Sequence, residues 1–211
     1  MNPFPKNLIS ICFVVFLLSG CLNLKHPNYR TEYYTLEYET PAMNYPTLPW
    51  VLAFERFQVS PIYNTTRIVY RKKPYTRDTY FYHKWQANPG DLVTYYLTRD
   101  IQQSSAFKAI QTVGTELRPS HIVTGMVEEF YEDDHQEYWE AVLTVSISVL
   151  KNSETDISEQ VLFQKQYSRR EPCSQKNPQA LAKAMSKAMA GISELIINDI
   201  YAYLANAGQS S

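Results

Sequence analysis

The sequence predicts an α+β domain in which two helices pack on one face of a mostly antiparallel β-sheet. Residues 137–150 and 160–169 alternate between apolar and polar side chains, which is typical of strands with one buried face. Two Asn-Pro pairs, at 88–89 and 177–178, each precede apolar residues at helical spacing. The predicted order of elements is β-β-β-β-α-β-β-β-α, and a further short strand fits residues 109–113.

The first twenty residues have the pattern of a signal peptide and precede the predicted domain. Met1–Lys6 carries one positive side chain, Leu8–Leu18 is an almost unbroken apolar run, and the small residues Ser19 and Gly20 follow. A helix formed by this run rises about 16 Å, well short of a bilayer core of about 30 Å. We therefore expect residues 1–20 to direct export rather than to span a membrane.

The apolar run ends in Leu18-Ser19-Gly20-Cys21, which resembles the lipobox of bacterial lipoproteins. The resemblance implies that Cys21 is acylated and becomes the mature N-terminus. The alternative is an ordinary secreted protein with an incidental cysteine. We expect residues 21–31 to form the lipidated tether, residues 32–205 the folded domain and residues 206–211 a flexible tail.

The residue after the lipobox cysteine bears on location. Leu22 stands where enteric lipoproteins that stay in the inner membrane have Asp. By this resemblance we expect a lipid-anchored protein on the periplasmic side of the outer membrane, held by its acyl chains in outer-membrane lipid.

Charge and cysteine content exclude several classes of function. Removal of residues 1–20 takes away one Lys and leaves 191 residues with a formal charge of −2, so no nucleic-acid partner is expected. We interpret the densest basic run, Arg71-Lys72-Lys73, as a solvated hairpin end rather than a phosphate site. Cys173 remains as a lone thiol when Cys21 bears lipid, and we expect it to be inert because no catalytic motif surrounds it.

Four strands are predicted before the first helix. Residues 32–38 have β-type composition, and residues 50–59 alternate between bracketing prolines. Residues 67–71 and 79–85 predict a hairpin, because the polar segment 72–78 that joins them contains Pro74.

The second strand of this hairpin concentrates aromatic side chains in Tyr80, Phe81, Tyr82 and Trp85. Successive side chains of a strand point to opposite faces, so one domain core can take only one set of rings. We assign Phe81 and Trp85 to the core and place Tyr80 and Tyr82 outside. The two tyrosines are predicted to serve an assembly interface, where such rings are favoured.

Both predicted helices begin with an Asn N-cap followed by Pro at the first helical position. In the first helix, Val93, Leu97 and Ile101 form one apolar row. In the second helix the apolar residues at helical spacing are Leu181, Met185, Ala188, Ile192, Leu195, Ile196, Ile200 and Tyr203.

Residues 121–131, 137–150 and 160–169 predict a three-stranded meander. The acidic segment Glu132–His135 joins the first two strands, and its spacing matches neither a calcium loop nor a zinc motif. We interpret it as a solvated hairpin tip and expect no metal and no cofactor. Hydrolase, phosphate-loop and metalloprotease motifs are missing, so we assign no catalytic residue and consider an enzyme the weaker class.

The order of these segments resembles the ABC-type transport auxiliary lipoprotein family, which includes paraquat-inducible protein C-like lipoproteins. The resemblance is carried by the lipobox, Tyr33–Leu36, Phe57–Arg71, Tyr82–Leu97, Gly125–Asp134, Ala141–Leu150 and the closing helix from Pro178. It implies a lipoprotein without chemistry of its own, acting as a docking component of an MCE-type ABC system that moves lipid between inner and outer membranes.

The partners implied by this resemblance are an MCE-domain protein, its ABC transporter and permease complex, and further copies of the chain in a homo-oligomer. Two other classes of function stay open. A stand-alone periplasmic lipid carrier would need a continuous apolar cavity, and a cell-envelope enzyme would need a His and a carboxylate in one pocket.

Overall fold

The computed structural model describes residues 30–112, 118–152 and 160–207. The chain divides into two compact units, Met1–Arg30 and Thr31–Ser211, and every described strand and helix belongs to the second. The predicted signal peptide, the lipobox with Cys21, and residues 208–211 lie outside the described residues.

The described part of the chain contains nine strands and two helices. The strands are β1 (Glu32–Tyr34), β2 (Leu48–Phe54), β3 (Gln58–Val59), β4 (Arg67–Arg71), β5 (Asp78–Trp85), β6 (Phe107–Thr112), β7 (His121–Asp134), β8 (Trp139–Lys151) and β9 (Val161–Pro172). The helices are α1 (Pro89–Gln103) and α2 (Pro178–Ala207). The further short strand that the sequence allowed is β6.

The long strand β7 organises the sheet. Along one edge of β7, three short strands pair with it in parallel, β2 at its start, β3 in its middle and β4 at its end. Along the other edge β8 runs antiparallel, and β9 pairs antiparallel with β8, which confirms the predicted meander. Beyond these, β6 pairs with β2, β5 with β4 and β1 with β5.

The α+β class is confirmed, whereas the sheet is mixed and not strictly antiparallel, because five of its strand pairs are parallel. The strands β2, β3 and β4 run in the same direction as β7, and between β4 and β7 the chain passes through the antiparallel β5, helix α1 and strand β6. Such a connection through a helix is the usual route to parallel neighbours. Local alternation along a strand carries no information on the direction of its neighbours, so this half of the sheet was mispredicted.

The predicted strand 50–59 is broken into β2 and β3 by Phe57. The Phe57 side chain is fully buried, and its backbone N–H donates to Thr94 Oγ1 of α1 at 2.9 Å. Gly125 of β7 makes room for the ring, since a Cβ built there would lie 2.6 Å from it. Insertion of Phe57 between β7 and α1 therefore replaces regular pairing at this point.

Both helices begin as predicted. The Asn88 side chain accepts a hydrogen bond from the N–H of Gly90 at 3.0 Å, and the Asn177 side chain accepts from the N–H of Ala180 at 2.8 Å. None of the described helices combines the length and the apolar character that crossing a membrane requires.

The core lies between the sheet and the two helices, which also contact each other. The row of Val93, Leu97 and Ile101 in α1 is fully buried, as predicted. In α2 the predicted face is buried except for Leu195 and Tyr203, which are exposed. The inner face of β8 is aliphatic and buried through Ala141, Leu143, Val145, Ile147 and Val149.

Candidate functional site

The aromatic strand β5 is irregular where its rings concentrate. Arg67 of β4 lies opposite Lys84, whereas Val69 lies opposite Thr79, so five steps along β5 match two steps along β4. The three extra residues form a bulge. An odd number of extra residues reverses which side chains face the core on the two sides of the bulge.

The bulge explains where the rings lie. Trp85 is 2% exposed and packs edge-to-face on Phe130 with ring centroids 5.1 Å apart, which confirms its assignment to the core. The assignment of Phe81 to the core is wrong, because its side chain is 66% exposed. Phe81 contacts the half-buried Tyr82 at 4.8 Å between centroids, and the Arg67 guanidinium lies 5.6 Å from its ring.

Tyr80 was assigned to the outside, but its hydroxyl reaches a buried carboxyl group. It donates to Glu132 Oε1 at 3.0 Å and lies 3.2 Å from Oε2. Burial raises the pKa of Glu132 to about 7, although the hydrogen bond from Tyr80 acts in the opposite direction. The charge of Asp134 adds to the increase, and Lys72 and Lys176 oppose it. Glu132 therefore titrates near neutral pH.

The next residue, Asp133, points to the other face of the sheet. Both Arg71 and Arg170 donate hydrogen bonds to its carboxylate, with Arg71 Nε at 2.8 Å from Oδ1. Burial alone would raise the pKa of Asp133, but the two arginine hydrogen bonds outweigh it and hold that pKa below its usual value. Arg170 also lies 3.1 Å from Glu140 of β8, so the cluster ties together β4, β7, β8 and β9.

Three side chains at this corner of the sheet bring potential metal ligands close together. Asp133, His135 and Glu140 each offer one ligand atom, and these atoms lie within 4.8 Å of one another. The guanidinium groups that bind Asp133 and Glu140 already balance the negative charge, and a divalent cation would have to displace them. The cluster is an ion-pair network, and because Glu132 and Asp133 are buried within β7, the solvated hairpin tip predicted for Glu132–His135 is wrong.

Cys173 lies at the same corner of the sheet, where its N–H donates to the carbonyl of Trp139 at 2.8 Å. Burial, followed by the charges of Glu132 and Glu140, raises the pKa of the Cys173 thiol to about 12. A thiol that keeps its proton is a poor nucleophile. This environment agrees with the inert role expected for Cys173.

Open clefts of ligand size lie elsewhere on the domain. One of about 700 Å³ runs between the β1 segment and the start of α2, with polar lining residues that include Glu32, Glu37 and Lys183. Another of about 480 Å³ has an apolar floor of Trp50, Leu162 and Leu204. His121 lines this second cleft, and the described lining includes no Asp or Glu that could pair with it.

Comparison with known families decides where the chain belongs. A sequence profile described as "ABC-type transport auxiliary lipoprotein component" matches residues 34–197. This range holds β5, α1, the corner around Glu132 and most of α2. The chain belongs to this family. The resemblance seen in the sequence is confirmed, and with it the association of this lipoprotein with an ABC transport system.

Solved structures show the same fold at low sequence identity. A Xanthomonas campestris protein assigned to DUF330 is 17% identical with a TM-score of 0.75, over 85% of this chain and 99% of that one. A hypothetical protein of Chlamydia trachomatis is 8% identical with a TM-score of 0.50, over 74% and 98% of the two chains. A search among curated protein sequences found no significant match.

The sequence contained a signal for the buried corner that single-strand reasoning missed. When β7 and β8 pair as a hairpin, Glu132 falls opposite Ala141 on the apolar side and Asp133 opposite Glu140 on the other. Register between the two strands would have placed one carboxyl group against the core. The arginine partners come from β4 and β9, which are distant in sequence, so no local pattern indicates them.

Proposed function

We propose that this lipoprotein is a lipid-anchored, non-catalytic docking component of an MCE-type ABC system that moves lipid between the inner and outer membranes. The observation that carries the proposal is the family match over residues 34–197, directly downstream of the lipobox. Membership of the family indicates association with an ABC transport system. The MCE-domain partner and the lipid cargo are our own additions to the proposal.

We further propose that Cys21 is acylated and that the protein sits on the periplasmic face of the outer membrane, because Leu22 follows the lipobox. Residues 21–31 can span at most roughly 35–40 Å when fully extended. A domain on such a tether stays within a few tens of ångströms of the membrane. This position suits a docking component of a system that connects the two membranes.

The outward surface of β5 is the docking surface that we propose. The interface role predicted for Tyr80 and Tyr82 stays a proposal, and the bulge adds Phe81 to it as the most accessible ring. Tyr33 of β1 is also exposed and lies opposite Lys84 of β5, so it extends the same surface. Tyr80 contributes by holding the strand through Glu132. Exposed rings grouped in this way are typical of protein interfaces.

The environments of the reactive side chains favour docking over catalysis. Glu132 is bonded to Tyr80, Asp133 is neutralised by two arginines, and the Cys173 thiol stays protonated. Each of these groups is engaged in holding the corner of the sheet, and none of the clefts described above has them as lining residues.

Co-purification tests the proposal. The acylated chain is produced together with the MCE-domain protein of the same organism and recovered from detergent-solubilised membranes. We expect the MCE-domain protein to co-purify and the double variant Phe81→Ser/Tyr82→Ser to lose most of it. Tyr95→Ser, a change at an exposed ring on α1, is the matched control and should retain the partner. Full recovery with the double variant would remove β5 as the docking surface, and no recovery with the parent would contradict the MCE role.

The anchor is tested separately by metabolic labelling with palmitate. We expect label on the parent chain and none on Cys21→Ala, together with loss of outer-membrane fractionation. Unchanged label on Cys21→Ala would contradict the assignment of Cys21.

A stand-alone lipid carrier is the second candidate, favoured by the cleft at Trp50. Its volume of about 480 Å³ falls in the range of ligand pockets, and its apolar floor beside Lys151 suits an acyl chain with an anionic headgroup. A carrier would retain lipid at near-stoichiometric amounts after purification, detectable by mass spectrometry, and Trp50→Ala would release it. The docking proposal expects no such stoichiometric lipid.

A further inference from the structure

The hairpin that joins β4 to β5 projects from the sheet and ends in a tyrosine. Residues 72–76 are all exposed, and Tyr75 at the tip is fully exposed. Tyr75 has φ 65, a left-handed conformation that is disfavoured for a residue with a side chain. The turn is closed by the N–H and the hydroxyl of Thr76, which donate to the Lys73 carbonyl at 3.3 and 2.9 Å.

This arrangement gives the folded domain no packing benefit. An aromatic side chain that lies wholly in water buries nothing, and backbone strain of this kind concentrates at functional positions. The tip therefore presents a ring outward, where only something outside the domain can contact it.

The charge of the tip is positive once internal pairs are set aside. Arg71 is bound to Asp133, and Arg77 donates to the Tyr63 hydroxyl while lying over the Tyr131 ring at 4.5 Å. Lys72 and Lys73 are exposed beside Tyr75, and the Lys72 ammonium group lies 5.1 Å from the centroid of the Tyr70 ring. The neighbouring carboxylate, Asp78 at the start of β5, accepts a hydrogen bond from Tyr70 at 2.9 Å.

β1 pairs with the last three residues of β5, at the end of that strand away from the hairpin tip. Glu32 pairs with His83 and Tyr34 with Trp85, and β1 runs parallel to β5. Since β5 runs away from the hairpin tip and β1 runs parallel to it, the chain approaches Glu32 from the side on which Lys72, Lys73 and Tyr75 project.

The turn between β7 and β8 lies at this end as well. Arg71 of β4 pairs with Asp133 of β7 in parallel, so the ends of β4 and β7 lie side by side. The turn exposes Tyr138, and the Lys176 ammonium group donates to the carbonyls of His135 and Gln136. A second exposed tyrosine thus stands at the same end of the domain, whereas Lys176 is paired with Asp134 at 3.4 Å and the turn also exposes Glu137.

We propose that residues 72–76, which the sequence alone indicated to be a solvated hairpin end, dock on an anionic lipid surface, with Lys72 and Lys73 facing lipid phosphates and the Tyr75 ring at the level of the headgroups. Basic side chains are attracted to anionic lipid, and tyrosine is favoured at the boundary between headgroups and acyl chains. This inference rests on the proposed function, because the acyl anchor supplies the membrane. Docking of the tip fixes the orientation of the tethered domain, with the far end of the sheet turned away from the lipid.

The experiment uses the acylated full chain on vesicles of phosphatidylcholine, with or without about one-third phosphatidylglycerol. An environment-sensitive fluorophore is attached at Tyr75→Cys. The matched control carries it at Lys108→Cys, an exposed position on β6 near the opposite end of the sheet. Cys173 resists labelling because its thiol keeps its proton, and Cys21 is acylated.

We expect the emission of the label at position 75 to shift to the blue only on the anionic vesicles, and added salt to reverse the shift. In Lys72→Glu/Lys73→Glu the docked fraction should fall by roughly fivefold or more for each lysine. The label at position 108 should not respond to either vesicle.

Three outcomes overturn the inference. If the chain floats with anionic vesicles while its tip label stays in water, the acyl anchor is supported and docking of the hairpin tip is contradicted. An equal shift on neutral vesicles, or a shift that survives Lys72→Glu/Lys73→Glu, contradicts an anionic surface. A chain that floats with neither vesicle overturns both the anchor and the docking of the tip.

Discussion

Glu132 and Asp133 are neighbours on β7, and they are only 0% and 2% exposed. The pKa values of the two carboxyl groups nevertheless shift in opposite directions. Glu132 faces the helices, where Tyr80 supplies a neutral donor, and burial raises its pKa to about 7. Asp133 faces the other side, where Arg71 and Arg170 bind it and lower its pKa.

The difference shows that burial sets the pKa of Glu132, whereas fixed cations outweigh burial at Asp133. Desolvation acts on both carboxyl groups in the same direction, and only on one face do fixed cations outweigh it. One face of this corner is therefore held by ion pairs and the other by packing with a neutral hydrogen bond. The two faces should respond oppositely to mutation and to pH.

The largest effect is expected from Asp133→Ala. Removal of this carboxylate leaves Arg71 and Arg170 beside each other without their shared partner, which should cost about 3–5 kcal/mol of unfolding free energy. Asp91→Ala is the control, because the exposed Arg56–Asp91 pair should contribute at most about 1 kcal/mol. Urea unfolding measures both, and equal losses would contradict the special role of the Asp133 network.

Glu132→Gln should increase the unfolding free energy above neutral pH, whereas Asp133→Ala lowers it. The pKa of Glu132 is raised in the folded state, so the native chain binds more protons than the unfolded chain between about pH 4.5 and 7. Stability contributed by this group is present at low pH and is lost as pH rises through 7, by about 3 kcal/mol.

Gln keeps an acceptor for Tyr80 without a charge, so the variant should be more stable than the parent at about pH 8 and equal to it at about pH 4. Asp133 gives the opposite trend, because its lowered pKa contributes stability that is lost as pH falls below the usual range of Asp. Unfolding curves across pH test both signs. A parent and a variant with parallel pH profiles would contradict the assignment to Glu132.

The smallest effect concerns Cys173, which shares the corner with Glu132. With its pKa raised to about 12, the native thiol should react with iodoacetamide at least about 100-fold more slowly than the unfolded chain at neutral pH. Glu132→Gln removes one of the charges that raise this pKa, so it should speed the reaction moderately while burial keeps it slow. Native and unfolded chains that react at the same rate would show that the corner is open.

Features set by a few consecutive residues were predictable from the sequence. Asn88 and Asn177 each cap a helix through a side chain that reaches two or three residues ahead, so the signal and the contact lie in one short segment. The inner face of β8 and the apolar row of α1 depend likewise on local period, and both are buried as predicted, whereas Val142 and Thr144 on the opposite face of β8 are buried as well.

Features set by distant partners were not predictable in this way. The break at Phe57 depends on Gly125 and Thr94, and the reversal of Phe81 depends on a bulge against β4. The ion pairs of Asp133 require two arginines from separate strands. Each of these features can be predicted only when the register between neighbouring strands is known. The hydrophobic period of a single strand does not determine that register.

The most direct test of docking places a photo-crosslinking amino acid at position 81 of the acylated chain in membranes that contain the MCE-domain protein. The same amino acid at position 108, also exposed but near the opposite end of the sheet, is the control. We expect a crosslink to the MCE-domain protein from position 81 and none from position 108. A membrane-bound, folded chain that yields no crosslink from position 81, or equal crosslinks from both positions, would contradict it.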